Sequence, residues 1–179
     1  MIRSALLVVA ACLPFAISGR ADDAVQKELA RLNIPAKLVP AGEQPLLLAR
    51  ADGTQTYTAE EKDGKLQWSA GSVPDATLWD FQSAAKVGTH SKGPKWVDND
   101  GSSLLGDPLT VVKEPSANAD TIPWLLVTVK SEGKGRFANV THVQRVDTWG
   151  GKAPASAPTK AGETQSVHYH ATYVFLGVR

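Results

Sequence analysis

The stretch Gln165–Leu176 (QSVHYHATYVFL) alternates from side to side: Val167, Tyr169, Ala171, Tyr173 and Phe175 fall on one face, and His168, His170 and Thr172 on the other. Successive side chains of an extended strand point to opposite faces, so this rhythm predicts a strand with its aromatic face in a core. Burying one such side chain is worth about 1.5–3 kcal/mol. A charge at Tyr173 is therefore expected to unfold the domain.

The same period of two runs outward from this strand to Pro45. Gln55, Tyr57 and Ala59 oppose Thr54, Thr56 and Thr58. Lys62-Asp63-Gly64-Lys65 reads as a hairpin turn, because Asp-Gly accepts the positive φ that tight turns require. Leu66-Gln67-Trp68 resumes the strand. Further strands are predicted at Thr77–Phe81, Ala85–His90, Leu104–Val112, Ile122–Lys130 and Phe137–Thr148, with Trp124–Val129 (WLLVTV) the most apolar and central. Trp149–Glu163 (WGGKAPASAPTKAGE) reads as a long surface loop. One amphipathic helix is expected at Asp22–Leu32, capped by Asp22 or Asp23, with Val25, Leu29 and Leu32 on one face, as an arm outside the core. The fold class is all-β: an antiparallel β-sandwich or related barrel with a short N-terminal helix.

The chain has 179 residues, ordinary globular composition and a net charge of +1, with Lys and Arg scattered. That suits one domain and argues against a nucleic-acid surface, which needs a basic patch. Arg3, the apolar run Ala5–Ile17 and the small residues at Gly19-Arg20-Ala21 read as a secretory signal peptide over 1–21, too short to span a bilayer. The mature protein is expected to start near Asp22, with helix and arm over 22–44 and a β core over 45–179, and to be periplasmic or secreted. A rival reading takes Val9-Ala10-Ala11-Cys12 as a lipoprotein site; the apolar run continuing from Leu13 to Ile17 speaks against it. Cys12 is the only cysteine, so the processed chain has no disulfide.

Ordered landmarks also stand along the chain: Pro74-Asp75-Ala76-Thr77-Leu78-Trp79-Asp80, Val87-Gly88-Thr89-His90, Gly93-Pro94-Lys95-Trp96, Asp100-Gly101-Ser102, Ile122-Pro123-Trp124-Leu125-Leu126, Val143-Gln144-Arg145, Thr148-Trp149-Gly150-Gly151-Lys152-Ala153-Pro154 and Tyr169-His170-Ala171-Thr172-Tyr173. Together they resemble the secreted domain-of-unknown-function family numbered three-four-five-five, from Ile34 to Phe175. The resemblance implies an exported single domain and carries no activity with it. Many relatives place a cysteine where this chain has Ala59 and another in the loop after Pro154, so a family disulfide is absent here. By the same comparison His142, His168 and His170 stand where relatives have Tyr, Pro or Thr.

Several residues invite chemistry. Asp98-Asn99-Asp100-Gly101-Ser102 alternates oxygens before a glycine, as calcium loops do, but Trp96 stands where the first acidic ligand belongs; a tight turn is the plainer reading. His168-x-His170 sets two imidazoles on one strand face, a spacing that chelates Zn²⁺ or Cu²⁺ given a third ligand from His90, His142 or a carboxylate. A polar outer face is the plainer reading, since alternation alone explains the pair. His90, oriented by Asp80 or Asp100, has the makings of a general base, with Ser102 or Ser103 as a nucleophile, but no nucleophile elbow accompanies them. Arg145 and Gln144 lie on opposite strand faces; an inward Arg145 needs a partner such as Asp80 or Asp147. Of five tryptophans, Trp68 and Trp124 read as core, while Trp96 and Trp149, in glycine-rich surroundings, can offer flat faces to a ligand, with packing under loops the plainer reading.

The reading that follows is a non-catalytic exported module binding a glycan, small molecule or envelope component through His90, Trp96, Asp100, Arg145 and Trp149. The alternatives are a metal-dependent or acid–base enzyme using His90 with Asp98 and Asp100, and a structural envelope or matrix protein. No cofactor, resident metal, nucleic acid or membrane span is expected.

Overall fold

The computed structural model describes residues 18–116 and 118–178. The apolar run Ala5–Ile17, with Cys12, lies outside them. The strands are β1 (Gln44–Lys62), β2 (Lys65–Trp68), β3 (Val73–Asp80), β4 (Lys86–Ser91), β5 (Lys95–Asp98), β6 (Ser103–Gly106), β7 (Val112–Glu114), β8 (Trp124–Glu132), β9 (Val140–Gly150) and β10 (Thr164–Gly177). Helix α1 (Ser18–Leu32) precedes them.

Eight of these strands close into an antiparallel barrel in the order β1-β3-β4-β5-β6-β8-β9-β10, with β10 returning to β1. The sequence-based choice between sandwich and barrel thus resolves to the barrel. Closure leaves no open edge among the eight barrel strands; only β2, on β1, and β7, on β8, pair on one side. The β10–β1 seam is the longest ladder, running from Gln44↔Gly177 to Thr58↔Thr164. β1 then continues past the barrel as a hairpin with β2, turning at Asp63 (φ 52°) and Gly64 (φ 70°). Both φ values are positive, as the Asp-Gly pair predicts.

One inward row of side chains shows how the interior is filled. Tyr169, Gly53, Ala76, His90, Trp96 and Leu104 are successive cross-strand partners around β10, β1, β3, β4, β5 and β6. The small residues Gly53 and Ala76 leave room for the three large rings beside them. A Cβ on Gly53 would lie 2.1 Å from the Asp75 carbonyl oxygen, so only glycine allows this close approach of β1 to β3. The inward aromatics expected on β10 are indeed buried: Tyr169, Tyr173 and Phe175, with Phe137 stacked on Phe175 at 4.7 Å.

Helix α1 begins four residues earlier than predicted and is more than an arm. Val25 and Leu29 pack, with buried Leu32 and Leu38, against a second apolar cluster on the barrel's outer face: Leu48, Leu126, Val146, Val174 and Leu176. Gln144 also faces out and donates from Nε2 to the Leu38 carbonyl (2.5 Å), which ties the arm to β9. This explains why Val174 and Leu176, on the polar face of the alternating strand, are apolar.

Three other expectations are corrected. The strand predicted at Leu104–Val112 is two strands, β6 and β7, split by a short 3-10 turn at Pro108–Thr110 that Asp107 caps. Lys95–Asp98, read as loop, is strand β5 and carries Trp96 inward, 2 % exposed. Trp68 and Trp124 are only partly buried; Trp68 donates from Nε1 to the Ser156 carbonyl (2.8 Å), fastening the β1–β2 hairpin to the 151–163 loop. No helix among the described residues is long and apolar enough to cross a membrane.

Candidate functional site

One end of the barrel opens into a cavity of about 470 Å³. Its walls come from inward residues of β1 (Gln55, Tyr57), β4 (His90), β5 (Trp96), β8 (Leu125, Val127), β9 (Arg145) and β10 (Tyr173). The β2–β3, β4–β5 and β6–β8 connections form its rim. The volume lies in the range of small-molecule sites. Val111, Ile122, Leu125, Val127, Pro74 and Pro94 give it a mainly apolar lining.

Arg145 enters this chamber through register. It pairs with Leu125 on one side and Tyr173 on the other, in a row that faces inward. Its Nη2 donates to the Pro123 carbonyl (2.9 Å), while its Nε is buried with no acceptor. The carboxylate partner expected at Asp80 or Asp147 is not there. Asp80 caps the following turn by accepting from Ser83 and Gln82, and Asp147 pairs with Arg31 at 2.9 Å on the outer surface. Arg145 therefore stands in the wall without a counter-ion among the described ion pairs. A cation held partly out of water without a counter-ion is costly, so such an arrangement is informative.

Two further donors share that condition. Trp96 Nε1 and Gln55 Nε2 are buried without an acceptor, and both residues line the cavity. Buried donors are nearly always paired, so three unpaired ones around a single chamber mark it out. Lys92 and Lys113 stand at the rim, and no carboxylate is among the lining residues.

His90 is held rigidly. Its ring stacks on Trp96 at 4.4 Å and meets Tyr173 edge-on at 5.2 Å. Nδ1 lies 3.0 Å from the Lys95 carbonyl, which can only accept, so Nδ1 carries the proton and Nε2 is the acceptor. Burial pushes its pKa down to about 3, which keeps the ring neutral at ordinary pH. Burial also raises the Tyr57, Tyr169 and Tyr173 hydroxyls above the usual phenol range, with the Arg145 charge pulling each partly back. All three stay protonated: Tyr57 donates to the Gly151 carbonyl (2.7 Å), and Tyr169 and Tyr173 lie 3.4 Å apart.

Of the five residues singled out from sequence, His90, Trp96 and Arg145 thus come together and Asp100 and Trp149 do not. Consecutive turns of an up-and-down barrel alternate ends. The β4–β5 turn sits at the mouth, so the β5–β6 turn with Asp100 sits at the other end. There Asp100 accepts from the Ser102 amide and hydroxyl (2.8 and 2.6 Å) and from the Arg136 amide (2.7 Å). These contacts, the Ser102 hydroxyl first, hold its pKa down to about 2. Asp98, in the same turn, faces Arg136 Nε at 3.5 Å. Neither carboxylate hydrogen-bonds His90, so the acid–base set of His90 with Asp98 and Asp100 is not assembled. Ser102 is occupied by Asp100 and the Phe137 amide. Trp149 lies on strand β9, not in a loop, and its indole is 59 % exposed on the outer face.

Gln55, Tyr57 and Tyr173 complete the site; alternation places Tyr173 in the core and Gln55 and Tyr57 on one face of β1, but gives none of them a site role. The available signal was Gln55, a polar residue on the same alternating face as Tyr57 and Ala59.

Fold and site define a closed antiparallel barrel with a cation-bearing chamber of small-molecule size. The chain belongs to the family described as a protein of unknown function, DUF3455, whose model matches residues 40–177. No curated protein and no solved structure matches it.

Proposed function

We propose that this domain is a non-catalytic binding module that takes a small anionic molecule into the end of its barrel. The preferred occupant has a flat or apolar body and a carboxylate-like end. The observation that carries the reading is the set of unpaired buried donors, Arg145 Nε, Trp96 Nε1 and Gln55 Nε2, around one largely apolar chamber. A carboxylate supplies a counter-charge to Arg145 and the acceptor oxygens that the walls of the chamber lack. The apolar walls take the body, and neutral His90 offers Nε2 to a donor on the ligand. Because the mouth carries Lys92 and Lys113, encounter with an anion is electrostatically favoured.

The test is a thermal-shift screen of small aromatic and alicyclic carboxylates, each beside its neutral amide. The expected result is a rise in Tm with particular carboxylates that their amides do not reproduce. Equal response to acid and amide, or no response across the panel, contradicts the reading.

We also propose that the chain is exported and cleaved near Asp22. Its support is the Arg3, Ala5–Ile17 and Gly19-Arg20-Ala21 pattern. Cleavage there keeps Val25, Leu29 and Leu32, which pack on the barrel. N-terminal sequencing of the protein recovered from its native compartment decides this; an intact Met1 overturns it.

A further inference from the structure

On the outer wall, away from the cavity, three chemically matched side chains meet across the β1–β10 seam. Asp52 is the direct cross-strand partner of His170, and Thr54 that of His168. The Asp52 carboxylate reaches both imidazoles: Oδ1 lies 2.8 Å from His168 Nε2 and Oδ2 lies 3.7 Å from His170 Nδ1. The two rings stand 4.5 Å apart and nearly perpendicular. The three ligand atoms all fall within 4.8 Å of one another.

From this convergence we infer a surface binding site for a late divalent transition ion, held by Asp52, His168 Nε2 and His170 Nδ1. Nitrogen and oxygen ligands about 2.0–2.2 Å from a tetrahedral zinc ion sit roughly 3.3 Å apart, a spacing that the present separations bracket. Small rotamer changes suffice, and all three side chains are about half exposed and free to make them. On binding, the metal replaces the proton that His168 Nε2 shares with Asp52. Three protein ligands leave outer positions open to water. Two imidazoles with one carboxylate select Cu²⁺ and Zn²⁺, in that order, and reject Ca²⁺ and Mg²⁺, which want oxygen alone.

The surroundings favour a cation. Asp52 has no Lys or Arg partner among the described ion pairs; its contacts are the two histidines. Arg50, the nearest basic residue on the same strand face, is turned onto the Phe81 ring at 4.8 Å. The exposed Trp149 indole stands 5.7 Å from His170 and 6.5 Å from His168, which places a fluorescent reporter beside the metal.

The test uses untagged full-length protein. Calorimetric titration with Zn²⁺ is expected to give one saturable site. Cu²⁺ is expected to quench Trp149 emission with the same stoichiometry, and Ca²⁺ to leave both signals unmoved. His170→Ala, His168→Ala and Asp52→Asn each weaken Zn²⁺ binding by about tenfold or more, since even loss of an outer partner of a ligand costs about that much. Trp149→Phe abolishes the Cu²⁺ quenching signal and keeps the Zn²⁺ affinity. The variants alter half-exposed side chains, so melting curves confirm that each is folded. Absence of a saturable Zn²⁺ site overturns the inference, and so does Zn²⁺ affinity unchanged in the histidine variants. The readout does not involve the barrel cavity.

Discussion

His90 and Trp96 stand directly opposite each other on β4 and β5, with ring centroids 4.4 Å apart and planes 10° from parallel. The pair forms one wall of the chamber, and the Tyr173 edge closes on both rings. The stacking, together with the Lys95 carbonyl, holds a neutral histidine in a buried place.

That histidine makes the fold acid-sensitive. Its folded pKa of about 3 lies below the ordinary value of 6.5. Between those values the unfolded chain binds a proton that the folded chain does not, so stability is complete above pH 6.5 and falls as pH drops toward 3. Wild-type protein is expected to lose about 3 kcal/mol from this group between pH 7 and pH 4. His90→Gln, which keeps a donor for the Lys95 carbonyl, should flatten that part of the profile in urea melts at the two pH values. Asp100, held down to about 2, acts in a lower window, below its ordinary 3.8.

Trp96→Ala should destabilise the domain by about 3–5 kcal/mol, because the ring is fully enclosed and its loss leaves a cavity beside His90. Trp96→Phe tests a different property. It retains a ring to stack and removes the unpaired Nε1 donor, so it should cost less stability and still weaken the carboxylate response. Denaturant melts and the ligand-induced Tm shift separate the two effects.

Tyr173 distinguishes packing from hydrogen bonding. Its hydroxyl makes only weak contacts, with Tyr169 at a long 3.4 Å and with the Arg145 side chain, so Tyr173→Phe should change stability by about 1 kcal/mol. Tyr173→Lys buries a second cation beside Arg145 and should leave no cooperative melt. Near-ultraviolet circular dichroism reports the outcome.

Gly53→Ala adds a single methyl where β1 and β3 approach closely, 2.1 Å from the Asp75 carbonyl oxygen and 2.6 Å from the Ala76 Cβ. Backbone must move to admit it, at a cost of about 1–3 kcal/mol. Gly64→Ala, with open space around its Cβ, should instead cost only what its positive φ imposes. Comparing the two Tm values checks that the penalty at Gly53 comes from the close approach of β1 to β3.

Much of this architecture can be read from the chain. Period-two alternation locates β10 and β1, and Asp63-Gly64 marks the turn from β1 into β2, because strand faces and tight turns are local properties. Closure into a barrel is not local: it depends on β10 pairing with β1 across more than a hundred residues, and no pattern in either strand states that register. For the same reason Asp52 could not be assigned as the third partner of His168 and His170. Trp96 was misplaced because glycine and proline flank a four-residue strand, too short to show a period. Arg145 was expected to find a carboxylate, as buried arginines do; its lack of one becomes visible only when the chamber around it is seen.

The most direct test of the central claim is the melting behaviour of Arg145→Met, with and without a carboxylate that stabilises the wild type. On the proposed reading, the Arg145 charge, which has no counter-ion among the described ion pairs, serves a ligand rather than the fold. The substitution should therefore leave the ligand-free Tm unchanged or higher and abolish the carboxylate-induced rise. A fall of more than about 4 °C, equivalent to at least about 1 kcal/mol at this size, with the carboxylate response intact, would show that Arg145 serves the fold and that the anion binds elsewhere.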